Sequence, residues 1–203
     1  MDFQKPVKFV VQNGSYHAWI ERDDAGQSSF APPNDNSHTI GSISSGHQTV
    51  VVGSYDAHKD ATRISFFSSA GPTRDGRQKP ELSARGHNVL AAHSRTDTGV
   101  TRKSGTSMAS RAVTGSIALL LAGAQASGRP LAIGDIRDIL TRTARKNPPP
   151  EAGNWDPQFG FGRVSAAGAA AQVFAPAPEP GAVAKRIRTA AKRAKAKAVR
   201  RGR

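Results

Sequence analysis

Ser104-Gly105-Thr106-Ser107-Met108-Ala109-Ser110 opens a long, nearly unpunctuated stretch, from Thr106 to about Ala126. That stretch is rich in Ala and Leu and reads as a helix apolar enough to be buried on most sides. Ser107 falls at its N-terminus, where backbone N–H groups lack intrahelical partners and the helix dipole favours negative charge. A hydroxyl there has the surroundings an acyl-transfer nucleophile needs, with its own N–H free to donate to a developing oxyanion. Gly105 lets the backbone approach a substrate carbonyl, so Gly105 and Thr106 are the candidate substrate-binding positions. The plainer reading is that Gly-Thr-Ser simply caps a helix.

Working outward, Ile133 to about Arg145 reads as a second, amphipathic helix with Ile133, Ile136, Ile139 and Leu140 on one stripe. A short Ala-rich helix is predicted from Ser165 to Val173. Upstream, Asn88 to Ala92 reads as a short strand in a turn-rich region, 61–104. Gln48 to Tyr55 reads as a buried strand on the strength of three consecutive valines. Farther back, Val7 to Val11 and Tyr16 to Ile20 flank Asn13-Gly14, a strong hairpin signal. A polar loop runs from Asp23 to about Gly46.

The motifs form a set. Phe67-Ser68-Ser69, Gly71-Pro72-Thr73, Asp75-Gly76-Arg77 and Lys79-Pro80-Glu81-Leu82 precede the serine segment; Val50 to Asp56 precedes them, and Gly160-Phe161-Gly162-Arg163-Val164 follows. In this order and spacing they resemble the subtilisin-like serine peptidases over roughly residues 48–173. The resemblance implies an α/β fold: the C-terminal part of a parallel sheet flanked by helices, with the serine at the end of a strand and the start of a buried helix. It implies hydrolysis of polypeptide substrates through an acyl-enzyme on Ser107. The family often binds calcium. No ligand loop stands out here, and Asp23, Asp24, Asp56 and Asp60 read as ordinary loop carboxylates.

The family's mechanism also uses an Asp, a His general base and an oxyanion Asn, in that order before the serine. Only the serine carries over. The nearest imitation of the His context is His38-Thr39-Ile40-Gly41, inside the polar loop and without the family's glycine after the histidine, so His38 is a candidate base beside the reading as a loop histidine. Asn13 follows a Val-rich run but reads as a hairpin turn. His17, His47, His58, His87 and His93 have no motif support. Two positions depart from the family's proline, Arg85 in Ala84-Arg85-Gly86 and Arg111 four residues after Ser107. The economical expectation is a truncated peptidase domain. Residues 1–47 would then be a β-rich insertion, 48–174 the C-terminal half of the domain, 175–184 a Pro-rich linker and 185–203 a disordered basic tail. A missing N-terminal peptidase segment would be the partner. The alternative is an inert remnant serving as a binding module.

Composition sets limits on these readings. Cysteine is absent, which removes disulfides, thiolate metal sites and cysteine nucleophiles. The start carries no signal-peptide pattern. The longest uninterrupted apolar run, Ile117 to Ala122, is far short of the roughly 20 residues of a membrane span. Net charge is +14, and ten of the 29 basic residues lie between Lys185 and Arg203, with no acid among them. That run implies non-specific contact with nucleic acid through phosphates, and its lack of aromatics leaves no base stacking. The bland reading is a solvated extension.

Overall fold

The computed structural model describes residues 30, 35–58, 62–146 and 154–174. The Asn13-Gly14 hairpin, Asn13 and His17, Asp23, Asp24 and Asp60, the linker and the basic tail lie outside them. Within them the chain is α/β. A three-stranded sheet has the order β2-β1-β3, with β1 at Val52–Asp56, β2 at Arg63–Ile64 and β3 at Leu82–Arg85. β1 and β3 run parallel, pairing Val52 with Leu82 through Tyr55 with Arg85, and β2 joins β1 antiparallel. A separate antiparallel hairpin follows, β4 at Val89–Ala92 and β5 at Val100–Lys103. Three helices complete the element order: α1 at Thr106–Ala126, α2 at Ile133–Thr143 and α3 at Ala166–Phe174.

The quoted motifs are structural ties. Ser68 Oγ accepts the Ser54 N–H at 2.9 Å, and Ser54 Oγ meets Ser65 Oγ at 2.8 Å inside the core. Ser54 is fully buried, so each of these polar atoms needs its partner. On the far edge of β3, Phe161 N–H donates to the Glu81 carbonyl and Val164 N–H to the Ser83 carbonyl, both at 2.8 Å. The closing motif thus extends the sheet by a short parallel bridge between Ser83 and Arg163.

α1 packs on β1, β3 and α3. Ala109, Val113, Ser116, Leu120, Gly123 and Ala124 are buried, at the three-and-four spacing of one helical face. Leu119 and Leu121 remain exposed, so the expected burial on most sides is corrected to one stripe: the described elements cover a single side. A second correction concerns length. α1 spans 21 residues and contains an 18-residue window of mean hydropathy 1.3, enough by length and composition alone to cross a membrane. Scattered Ser, Thr and Gly break the apolar run without lowering its mean much. In this fold the same residues form the core helix under the sheet. A third correction concerns the strand leading to Ser107. That strand is β5, in the antiparallel hairpin and not in the parallel sheet. Four polar or charged-flanked residues, Val100-Thr101-Arg102-Lys103, carry little strand signal.

α2 buries Ile136, Ile139 and Leu140, while Ile133 at its first position is 39% exposed. The strand predicted from Gln48 begins at Val52, and the described part of the polar loop contains a 3₁₀ turn at Ser42–Ser45.

At the start of β1 and β3 sits a buried ion pair. Lys79 Nζ lies 2.6 Å from Glu81 Oε1, with both side chains nearly inaccessible. Lys79 Nζ also donates to the Thr49 carbonyl at 2.7 Å, and Glu81 Oε2 accepts the Val51 N–H at 2.7 Å. Each charge is therefore hydrogen-bonded as well as paired, which offsets the desolvation of burial. In the turn before it, Asp75 accepts from the Thr73 hydroxyl at 2.5 Å and from Arg77 Nε at 2.8 Å. These bonds, the hydroxyl first, lower the Asp75 pKa to about 2.

Two outcomes are expected. Glu81→Ala strands a buried ammonium and should destabilise the fold by roughly 3–5 kcal/mol in urea unfolding, whereas Lys79→Met with Glu81→Leu should recover most of that loss. For Asp75 the folded-state pKa lies below the unfolded one. Its stabilising contribution is therefore complete above the ordinary aspartate value of about 3.9 and is lost as pH falls towards 2. A carboxyl NMR titration of Thr73→Val should move the Asp75 midpoint upward.

Candidate active site

The site is assembled where the C-terminal ends of β1 and β3 meet the head of α1. Gly86 follows β3; its N–H donates to the Tyr55 carbonyl at 3.3 Å, and its carbonyl accepts the Gly105 N–H at 2.8 Å. This two-step chain of bonds ties β1 to β3 and β3 to the helix. The approach leaves no room for a side chain. A Cβ at Gly86 would lie 2.3 Å from Ser54 Oγ and 2.7 Å from the Gly105 carbonyl oxygen. Gly105 itself adopts φ 156° and ψ 156°, a conformation open essentially to glycine alone.

Ser107 follows as the second residue of α1 and is exposed. Its hydroxyl has no hydrogen-bond partner among the described residues. Its N–H belongs to the first turn, whose donors have no partner within the helix. Met108 N–H closes back onto the Gly105 carbonyl at 3.0 Å, fixing the turn that presents the serine. An exposed hydroxyl and an unpaired donor on one residue, at the positive end of a 21-residue helix, can attack a carbonyl and hold the charge that results. Activation of the hydroxyl requires a base.

His38 is placed elsewhere in the hydrogen-bond network. Its backbone donates to the Gly71 carbonyl, its neighbour Thr39 donates to the Ala70 carbonyl, and its Nδ1 meets Ser37 Oγ at 2.6 Å. None of these ties reaches α1. Two other histidines, without any motif, lie at the sheet end that carries Ser107. Asp56 closes β1 with its carboxylate 3.1 Å from His58 Nδ1 and 2.9 Å from the His58 amide. The amide bond is the main cause that holds Asp56 below the ordinary carboxylate range, and partial burial opposes it. His87 stacks on Phe67 with centroids 6.0 Å apart and rings within 9° of parallel, and its Nδ1 is buried without a partner among the described residues. Its neighbour Asn88 donates to Ser104 Oγ at 2.9 Å, so His87 flanks the serine segment through both adjacent residues. Sequence reasoning passed over His87 and Asp56 because their signal is positional, the end of a parallel strand, and not a motif. Among the described residues no three His, Asp or Glu side chains converge as metal ligands.

Comparisons with known proteins fit this geometry. The model of the subtilase family matches residues 12–162, taking in residues 12–47 and the motifs quoted above as far as Gly162. Over 66 residues the chain is 46% identical to pyrolysin of Pyrococcus furiosus, a match that covers 32% of this chain and 5% of pyrolysin. An uncharacterized protein of Aquifex aeolicus is 30% identical over 134 residues, 57% of each chain. Among solved structures, the CspB protease of Clostridium perfringens superposes with a TM-score of 0.60 at 30% identity, covering 70% of this chain and 30% of that one. The patellamide maturation protease PatA gives 0.53 at 25% identity, covering 69% and 48%. The chain thus spans less than two thirds of each of these relatives.

Replacing Gly86 by Ala should force β3 and α1 apart. The expected loss is about 1–3 kcal/mol, as in overpacked cores, with faster hydrogen exchange at the Gly105 amide as the local readout. An unchanged Gly105 exchange rate would show that this contact does not hold the helix head.

Proposed function

The chain belongs to the subtilase family, and on that premise we propose that it carries the nucleophile of a serine endopeptidase site. Ser107 attacks the peptide carbonyl, its proton passes to a base, and the amine leaves with a proton returned by that base. The acyl-enzyme is then hydrolysed by water. The observation that carries this reading is Ser107 at the head of α1, with an exposed hydroxyl and a free N–H positioned by the Gly86–Gly105 contact. Unless His38 serves as the base, the base comes, like the orienting acid and the oxyanion asparagine, from outside residues 35–174, in this chain or in a separate segment. His38, the one histidine in a context near the family's, stays the base to be tested within the chain.

A second reading draws support from the unpartnered Ser107 hydroxyl. A serine whose hydroxyl meets no hydrogen-bond partner among the described residues also fits an inert remnant whose binding is done elsewhere, with Lys185 to Arg203 contacting nucleic acid through phosphates. Without base and orienter, residual rate enhancement rests on oxyanion donors and binding alone.

Labelling with a fluorophosphonate probe separates the two, because stable phosphonylation needs an activated serine. An endopeptidase site complete within the chain should label, lose the label in Ser107→Ala, and weaken strongly in His38→Ala if His38 is the base. A folded chain that resists labelling at any pH from 6 to 9 would favour the remnant. Labelling restored by adding a separate peptidase segment would locate the base there.

A further inference from the structure

Beside the head of α1 lies a cavity of about 540 Å³, walled by the β4–β5 hairpin and the first two turns of the helix. Its apolar lining includes Val89, Ala91 and Met108. Three cations reach it from three elements: Arg85 at the end of β3, Lys103 at the end of β5 and Arg111 in the second turn of α1. His93 also lines it, and no acid does. Among the described residues none of the three cationic side chains makes a hydrogen bond or an ion pair.

Their arrangement is informative. Arg111 stands four residues after Ser107, so the two share one helical face about 6 Å apart at Cβ. Arg85 immediately precedes Gly86, whose carbonyl anchors Gly105. The cavity therefore adjoins the nucleophile through both of its supports. The buried charges Lys79 and Glu81 are paired with each other, whereas Arg85, Lys103 and Arg111 are exposed side chains at the border of the cavity. Three unpaired cations around an apolar hollow amount to a field with no counter-charge in the described structure.

We propose that this cavity receives an acidic residue of the polypeptide handled at Ser107, and that Arg85, Lys103 and Arg111 set a preference for Asp or Glu near the bond attacked. The inference rests on Ser107 as a peptide-bond site. A carboxylate satisfies the cations, and guanidinium forks bind it bidentately. The apolar walls favour Leu-like neighbours of the acid. A nucleic-acid backbone gains nothing from those walls.

The test is fluorescence anisotropy on the full chain, without turnover. The probes are a dye-labelled Leu-Glu-Leu-Glu-Leu peptide and its Leu-Gln-Leu-Gln-Leu counterpart at low salt. The acidic peptide should bind roughly tenfold tighter, as expected for charge-assisted bonds. Arg85→Gln, Lys103→Gln and Arg111→Gln together should erase the difference, and Arg111→Lys alone should retain most of it. Because the basic tail also attracts acids, a variant with Lys192, Lys195 and Lys197 changed to Gln serves as control and should keep the preference. Equal binding of the two peptides, a preference that survives the triple change, or one that vanishes with the tail change would overturn the proposal. Failure here is distinguishable from failure of the peptidase reading. Fluorophosphonate labelling with no acid preference removes only this inference, and acid preference without labelling leaves an acid-binding cavity but removes its role at a bond attacked by Ser107.

Discussion

One hydrogen bond, from the Gly105 amide to the Gly86 carbonyl, joins the parallel sheet to the helix on which the candidate nucleophile sits. It is possible only because neither partner has a side chain in the way. Gly86 lies against Ser54 and the Gly105 carbonyl, and Gly105 takes a backbone conformation that an L side chain would strain. Through Gly86 the same contact continues to Tyr55 and β1. The position of Ser107 is therefore inherited from the sheet, while β5, which precedes it in sequence, belongs to a hairpin outside that sheet. A nucleophile held this way gains its geometry from rigid elements and its exposure from standing at a helix end.

The two ends of the sheet treat charge in opposite ways. At the start of β1 and β3 the Lys79–Glu81 pair is sealed in, with backbone groups of Thr49 and Val51 completing its bonds. There charge serves the fold alone. At the other end Arg85, Lys103 and Arg111 remain open to a cavity with no acid in its lining. Ligands of parallel α/β sheets collect outside the carboxyl ends of the strands. The uncompensated charge sits at that end.

Much of this was legible in the sequence. The bounds of α1 follow from Gly105 and the scarcity of turn residues as far as Ser127, and the hydrophobic stripe of α2 appears at its expected spacing. The subtilase motifs marked Ser107 before any geometry was known, and the structure set it at the helix head. What was not legible depends on approach through space. β2 is two residues long, and β5 is charged enough to pass for loop. The coverage of α1 on one stripe depends on which elements pack on it, and composition alone overstated it. Arg85 and Arg111 were visible as departures from proline, but their convergence with Lys103 is a product of the fold. Asp56 and His87 likewise become notable only once β1 and β3 are seen to end together.

The buried Lys79–Glu81 pair also constrains how this chain can drift. Removing Glu81 leaves Lys79 desolvated and unpaired, and removing Lys79 leaves buried Glu81 with Arg137 Nε, 3.5 Å away, as its remaining counter-charge, while an apolar pair of similar volume would be tolerated. The two states are separated by single changes that are each worse than both endpoints. Such a pair is strongly coupled and non-additive. It behaves as one heritable unit spread over two codons, and neutral exchange of either codon alone is closed to it.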